Sequence, residues 1–92
     1  MNYEQFCKLI ERTIGEFLPE ELGECETSLY FADKTNNVKK VGITFHQLGK
    51  NASPTIYLED YYQHFINGDS FEDICVKIVE TYEKCIEKGL DT

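Results

Sequence analysis

The hydrophobic period changes twice along this chain, and the change limits the folds open to it. At the start, Tyr3, Phe6, Cys7, Ile10, Ile14, Phe17 and Leu18 recur at the spacing of one helix face. From Glu24 the period drops to two. Cys25, Thr27, Leu29 and Phe31 then fall on one side, with Glu24, Glu26, Ser28 and Tyr30 on the other. Val41, Ile43 and Phe45 repeat that alternation against Lys40, Thr44 and His46. The helical period returns with Phe71, Ile74, Cys75, Ile78, Tyr82, Cys85 and Ile86. A stripe needs a core, and a half-apolar sheet needs a cover. The two satisfy each other in an α+β fold with helices on one face of an antiparallel sheet.

Punctuation sets the boundaries. Asn2 and Gln5 have the spacing of a capping box, and Pro19 ends the first helix at about Leu18. Asp33-Lys34-Thr35-Asn36-Asn37 is a turn cluster that makes the first two strands a hairpin. Gly49 to Pro54 is a loop, Thr55-Ile56-Tyr57-Leu58 a third strand, and Tyr61 to Asn67 a short helix introduced by Glu59-Asp60. Gly68 stops that helix, Ser70 with Asp73 gives a weaker capping box, and Gly89 ends the last helix. The expected order is α-β-β-β-α-α, with a three-stranded antiparallel sheet and two long helices on one face. With 92 residues, the chain is read as a single domain spanning 1–92.

Charge decides which partners fit. Seventeen acids face nine bases, a net charge of −8, which repels nucleic acid and anionic membrane and attracts basic surfaces. The acids are also segregated. From Thr13 to Asp33 there is no Lys or Arg, while Glu16, Glu20, Glu21, Glu24, Glu26 and Asp33 all occur. From Asn51 to Val76 there is again no base, and Glu59, Asp60, Asp69, Glu72 and Asp73 lie among Tyr57, Tyr61, Tyr62 and Phe65. Acids interleaved with tyrosines suit a binding face, the rings giving area and the carboxylates steering a basic groove. Tyr61 and Tyr62 are adjacent on a helix, so both cannot point straight inward.

Catalytic signals are weak. No nucleophile elbow, phosphate loop or dinucleotide fingerprint is present. The two histidines are His46 and His64, and strand parity points His46 away from Cys25. The adjacent acids Glu20-Glu21, Glu59-Asp60 and Glu72-Asp73 do not face one another on a helix. Cys7, Cys25, Cys75 and Cys85 include no metal-binding doublet. Cys75 and Cys85 would stand roughly 15 Å apart on one helix, too far to bridge. With no leader-like or membrane-spanning apolar run, the expectation is a cytoplasmic protein with reduced thiols and no cofactor or metal. The element order is also that of the double-stranded RNA-binding module, but Gly68-Asp69-Ser70-Phe71-Glu72-Asp73 stands where that module needs lysines. The one basic cluster is Lys34, Lys39, Lys40 and Lys50, so direct nucleic-acid binding is not expected.

The stretch Asn51-Ala52-Ser53-Pro54-Thr55-Ile56-Tyr57-Leu58-Glu59-Asp60-Tyr61-Tyr62 resembles a Firmicutes family of unknown function, numbered 5688. Members of that family carry a similar Pro-Thr-Ile-Tyr-Leu-Asn-x-Tyr-Tyr run. Gly68, Ser70, Ile74, Ile78 and Tyr82 fit its continuation, and Glu59 departs from its Asn. The likeness is best over Asn51–Tyr82 and weaker over the first helix and hairpin. It implies the family's first domain standing alone, in a bacterial or phage-borne cytosolic protein often near mobile elements. It implies no activity, cofactor or site.

These observations lead to a non-catalytic protein-binding or inhibitor domain that offers an acidic, tyrosine-rich surface to a basic partner. The expected contact residues are Glu59, Asp60, Tyr61, Tyr62, Asp69, Glu72 and Asp73, together with Glu20, Glu21, Glu24 and Glu26. One concrete version is an anti-CRISPR inhibitor that mimics nucleic acid in the channel of a CRISPR-associated nuclease. The alternative is a structural or adaptor domain of a mobile-element protein, either a monomer or a homodimer joined through the open sheet face or an edge strand.

Overall fold

The computed structural model describes residues 1–33, 40–49 and 53–88, with the backbone alone at 31–33, 40 and 88. The turn cluster after Asp33, the loop residues Asn51 and Ala52, Gly89, and the side chains of Lys34, Lys39, Lys40 and Lys50 lie outside the described residues.

Helix α1 spans Tyr3–Thr13. Its capping box is complete: Gln5 N–H donates to Asn2 Oδ1 at 2.8 Å and Asn2 N–H donates to Gln5 Oε1 at 3.0 Å. The α-helix ends earlier than Leu18. Ile14–Phe17 tighten into a 3-10 turn, and Glu20–Leu22 form a second one behind Pro19. Gly15 weakens the helix from within, and Pro19 keeps Leu18 extended, at ψ 133°.

Strands β1 (Cys25–Asp33), β2 (Lys40–Gln47) and β3 (Thr55–Tyr57) form one antiparallel sheet in the order β1-β2-β3. The third strand is one residue shorter than its sequence pattern. Leu58 turns fully inward and becomes the N-cap of α2 (Glu59–Ile66), which therefore starts two residues before Tyr61. Asn67 caps its other end, and Gly68 turns the chain at φ 113°, a conformation that L side chains rarely adopt. Helix α3 (Phe71–Lys88) begins with one arm of a capping box, Asp73 N–H donating to Ser70 Oγ at 3.1 Å. The Asp side chain is too short to return the bond.

The core lies between the helices and one face of the sheet. Phe6, Ile10 and Ile14 from the N-terminal segment meet Val41, Ile43, Phe45 and Ile56 from the strands, and Ile74, Ile78 and Tyr82 from α3. Tyr82 stacks on Phe45 with ring centroids 4.2 Å apart. Its hydroxyl donates to Gln47 Oε1 at 3.2 Å, and Gln47 Nε2 in turn bonds the Leu22 carbonyl at 2.6 Å. The buried Tyr thus ties α3 to the sheet end while its polar atom stays satisfied. Cys7, Cys75 and Cys85 are buried and Cys25 is half-buried, and all four are free thiols.

Candidate functional site

Among the described residues the sheet is covered on one side only. Register places the uncovered residues in three rows across β1, β2 and β3. Tyr30 pairs with Gly42, which pairs with Tyr57. Ser28 pairs with Thr44, which pairs with Thr55. Glu26 pairs with His46, and His46 Nδ1 lies 2.9 Å from Ser53 Oγ in the approach to β3. The threonines also join, Thr44 Oγ1 to Thr55 Oγ1 at 2.8 Å. Among the described residues this face carries no Lys or Arg side chain, and its carboxylate is Glu26.

Tyr30 and Tyr57 are the large exposed groups here, at 49% and 46% exposure. Glycine at position 42 is what lets Tyr57 sit this way. A Cβ there would lie 2.6 Å from Thr55 Cγ2 and 3.3 Å from Tyr57 Cδ1, so the Tyr57 ring leans over the bare backbone. The backbone bonds explain the closeness. Val41 accepts from Leu58 N–H at 2.9 Å and Phe45 N–H donates to Pro54 at 3.0 Å, so odd residues of β2 bond β3. Gly42 and Tyr57 are then a non-hydrogen-bonded pair, the kind in which side chains approach most closely.

The acids predicted as contact residues separate into three groups. Glu20 and Glu21 are exposed on the second 3-10 turn, Glu24 is exposed before β1, and Glu26 is exposed on the open sheet face. With Glu16 they form no ion pair among the described residues. Asp60 is exposed at the start of α2, whereas Glu59 is half-buried with Oε1 shielded and unpartnered among the described residues. Glu72 and Asp73 are exposed at the start of α3, and Asp69 pairs with Lys77 at 3.5 Å and approaches His64 at 3.6 Å.

The two ends of the helical hairpin do not converge. Tyr61 reaches Thr81 Oγ1 at 3.0 Å, ten residues along α3 from Phe71, so Asp60 and Glu72 are separated by roughly 15 Å along that helix. Nor do Tyr61 and Tyr62 form a free surface. Both pack against the core; Tyr62 donates to the Met1 carbonyl at 3.1 Å and sets its ring against Tyr3 and Phe6 at 5.2 and 5.3 Å. Two adjacent helical residues both reach inward because α2 lies in a crease, with α1 on one side and α3 on the other.

Titration follows the same division. Burial pushes the Tyr3 hydroxyl up to about 12, helped by the Cys7 and Glu59 charges and opposed by the bond from Val41 N–H. Burial likewise lifts the Cys7 and Cys75 thiols to about 11. Cys25 is raised by burial and partly offset by Tyr82, whose hydroxyl lies 3.7 Å from its sulfur. Such thiols are poor nucleophiles near neutral pH.

The Tyr30–Gly42–Tyr57 row and the Ser53–His46 contact were missed at the sequence level. Alternation already put Tyr30 on the outer face, but the row requires the strand register. No group of three or more metal-ligating side chains occurs among the described residues, and no helix among them is long and apolar enough to cross a membrane.

Fold and surface together define a small α+β domain whose sheet, among the described residues, has one covered face and one open face. The chain belongs to the family of unknown function DUF5688, whose pattern matches residues 3–91. The likeness therefore runs well beyond the Asn51–Tyr82 stretch that carries it most visibly. No curated protein and no solved structure matches the chain.

Proposed function

We propose that this domain is a non-catalytic binding module that presents carboxylates to a basic protein surface. The observation that carries the proposal is the base-free run from Thr13 to Asp33, in which Glu16, Glu20, Glu21, Glu24 and Glu26 are all exposed and free of ion pairs among the described residues. Unpaired surface carboxylates keep their full field, and the net charge of −8 adds to it. A basic groove that ordinarily holds nucleic acid is the natural target, and an inhibitor of a nuclease, CRISPR-associated ones included, is its most specific form. Glu59, Tyr61 and Tyr62 leave the proposed contact set, because burial and internal bonds occupy them.

The test is affinity capture from a bacterial lysate with wild-type protein and with a Glu20→Lys, Glu21→Lys, Glu24→Lys triple variant. Basic proteins should be retained by the wild type at low salt, released as salt rises, and absent from the variant. Partners held equally by both baits, or indifferent to salt, would overturn the proposal.

A further inference from the structure

A cavity lies where the first helix meets the edge of the sheet. Strand β1 is an edge strand, and α1 is pinned along it. Glu11 Oε2 accepts from Leu29 N–H at 2.8 Å, and Thr27 Oγ1 donates to the Glu11 carbonyl at 3.5 Å. Lys8, Glu11 and Arg12 stand at i, i+3 and i+4, so the two bases flank that carboxylate on one side of the helix. With Ser28 and Leu29 they line a cavity of about 540 Å³, the size of a small-molecule site.

The carboxylate in this cavity does not neutralise the bases. No ion pair joins Glu11 to Lys8 or Arg12, because Glu11 is bonded to the strand. Lys8 meets Glu4 at 3.3 Å in an exposed pair of the kind that contributes little, and Arg12 forms no ion pair among the described residues. The Ser28 hydroxyl is exposed and makes no hydrogen bond among the described residues.

We infer that this cavity binds the phosphomonoester of a small hydroxyl-bearing molecule, with a nucleoside monophosphate as the representative case. A phosphomonoester carries about −1.5 to −2 charge near neutral pH and three acceptor oxygens. Those match two cations and three donor groups: the Arg12 fork, the Lys8 ammonium and the Ser28 hydroxyl. A carboxylate, with one charge and two oxygens, leaves a donor group unmatched. Leu29 supplies an apolar wall for the rest of the ligand, and Glu11 an acceptor for one of its hydroxyls. A polyanion fits less well, since Glu4 and Glu26 stand one helical turn from Lys8 and two strand residues from Ser28. The site is independent of the proposed acidic contact surface and uses none of Glu16, Glu20, Glu21 and Glu24.

The experiment is a two-dimensional amide NMR titration of the full chain with adenosine monophosphate, inorganic phosphate and adenosine. The monophosphate should shift the amides of Lys8, Glu11, Arg12, Ser28 and Leu29 to saturation. Inorganic phosphate should shift the same set with weaker affinity, and adenosine should not saturate it. Arg12→Gln should weaken monophosphate binding about five- to ten-fold, the scale of a lost charge-assisted contact, and Ser28→Ala about two- to three-fold. Lys84→Gln removes the same charge from α3, outside the cavity, and should change the affinity by less than about two-fold. All three positions are exposed, and the unchanged remainder of each spectrum verifies the fold.

Adenosine or inorganic phosphate binding as tightly as the monophosphate would overturn the inference. So would equal losses in Arg12→Gln and Lys84→Gln, or shifts that spread over the surface without saturating. None of these results bears on whether the acidic surface captures basic proteins, which the Glu20, Glu21, Glu24 reversal tests separately.

Discussion

The chain contains two pairs of tyrosines near acids, and they do opposite things. Tyr61 and Tyr62 are adjacent in sequence, lie in the most acidic-looking aromatic stretch, and are turned into the crease between helices. Tyr30 and Tyr57 are 27 residues apart, share no local motif, and stand in one row on the open sheet with Gly42 between them. Local clustering of aromatic and acidic residues is therefore a poor guide to a binding face. Strand register assembles the exposed pair, while helix packing takes the clustered pair out of reach.

The largest expected effect tests the covered side. Cys7, Cys75 and Tyr3 titrate above their ordinary values because burial disfavours their charged forms. Each group stays protonated in the folded state at a pH where the unfolded chain has lost its proton. The folded state is then favoured fully below the unfolded value and loses that advantage as pH rises through the folded one. Stability against urea should accordingly fall from about pH 9 to about pH 11 as the two thiols lose that advantage, with Tyr3 adding to the fall from about pH 10 to about pH 12. A flat urea midpoint over that range would mean that the helical face is not packed as described.

A Tyr62→Ala change should destabilise by about 2–4 kcal/mol, since it removes ring contacts with Tyr3 and Phe6 and the bond to Met1. Tyr57→Ala should cost only about 1 kcal/mol or less, the scale of a cross-strand pair on an open face. Chemical denaturation of the two variants side by side measures the difference; equal losses would erase the contrast between the pairs.

Gly42→Ala probes the floor between the exposed rings. The new methyl would meet Thr55 Cγ2 and the Tyr57 ring, and a cost of about 1–3 kcal/mol is expected from the forced shift. Thermal unfolding gives the loss. A neutral result would indicate that Tyr57 does not rest on the bare backbone.

Much of the fold was legible because its signals are local. The stripe from Tyr3 to Ile14, the alternation around Ile43, and the spacing from Phe71 to Cys85 each report which side of an element faces a core. The Asn2–Gln5 box and the Gly68 turn were equally readable, since caps and left-handed turns depend on two or three residues. Boundaries were less so. The 3-10 turn at Ile14–Phe17 and the early start of α2 depend on where Leu18 and Leu58 find space in the assembled core. For the candidate surface, the base-free run and its exposed acids were legible, whereas the tyrosine platform was not.

The sequence alone determined the class of fold and the sign of the surface. Hydrophobic period and charge are properties of the chain itself, present before anything packs. Only the tertiary structure decided which tyrosines are available. Tyr62 and Tyr57 are both partly polar rings in acidic surroundings, and what separates them is whether a neighbouring element covers them. That cover comes from α1 for one and from nothing among the described residues for the other, and it exists only once the helices have settled on a single face of the sheet.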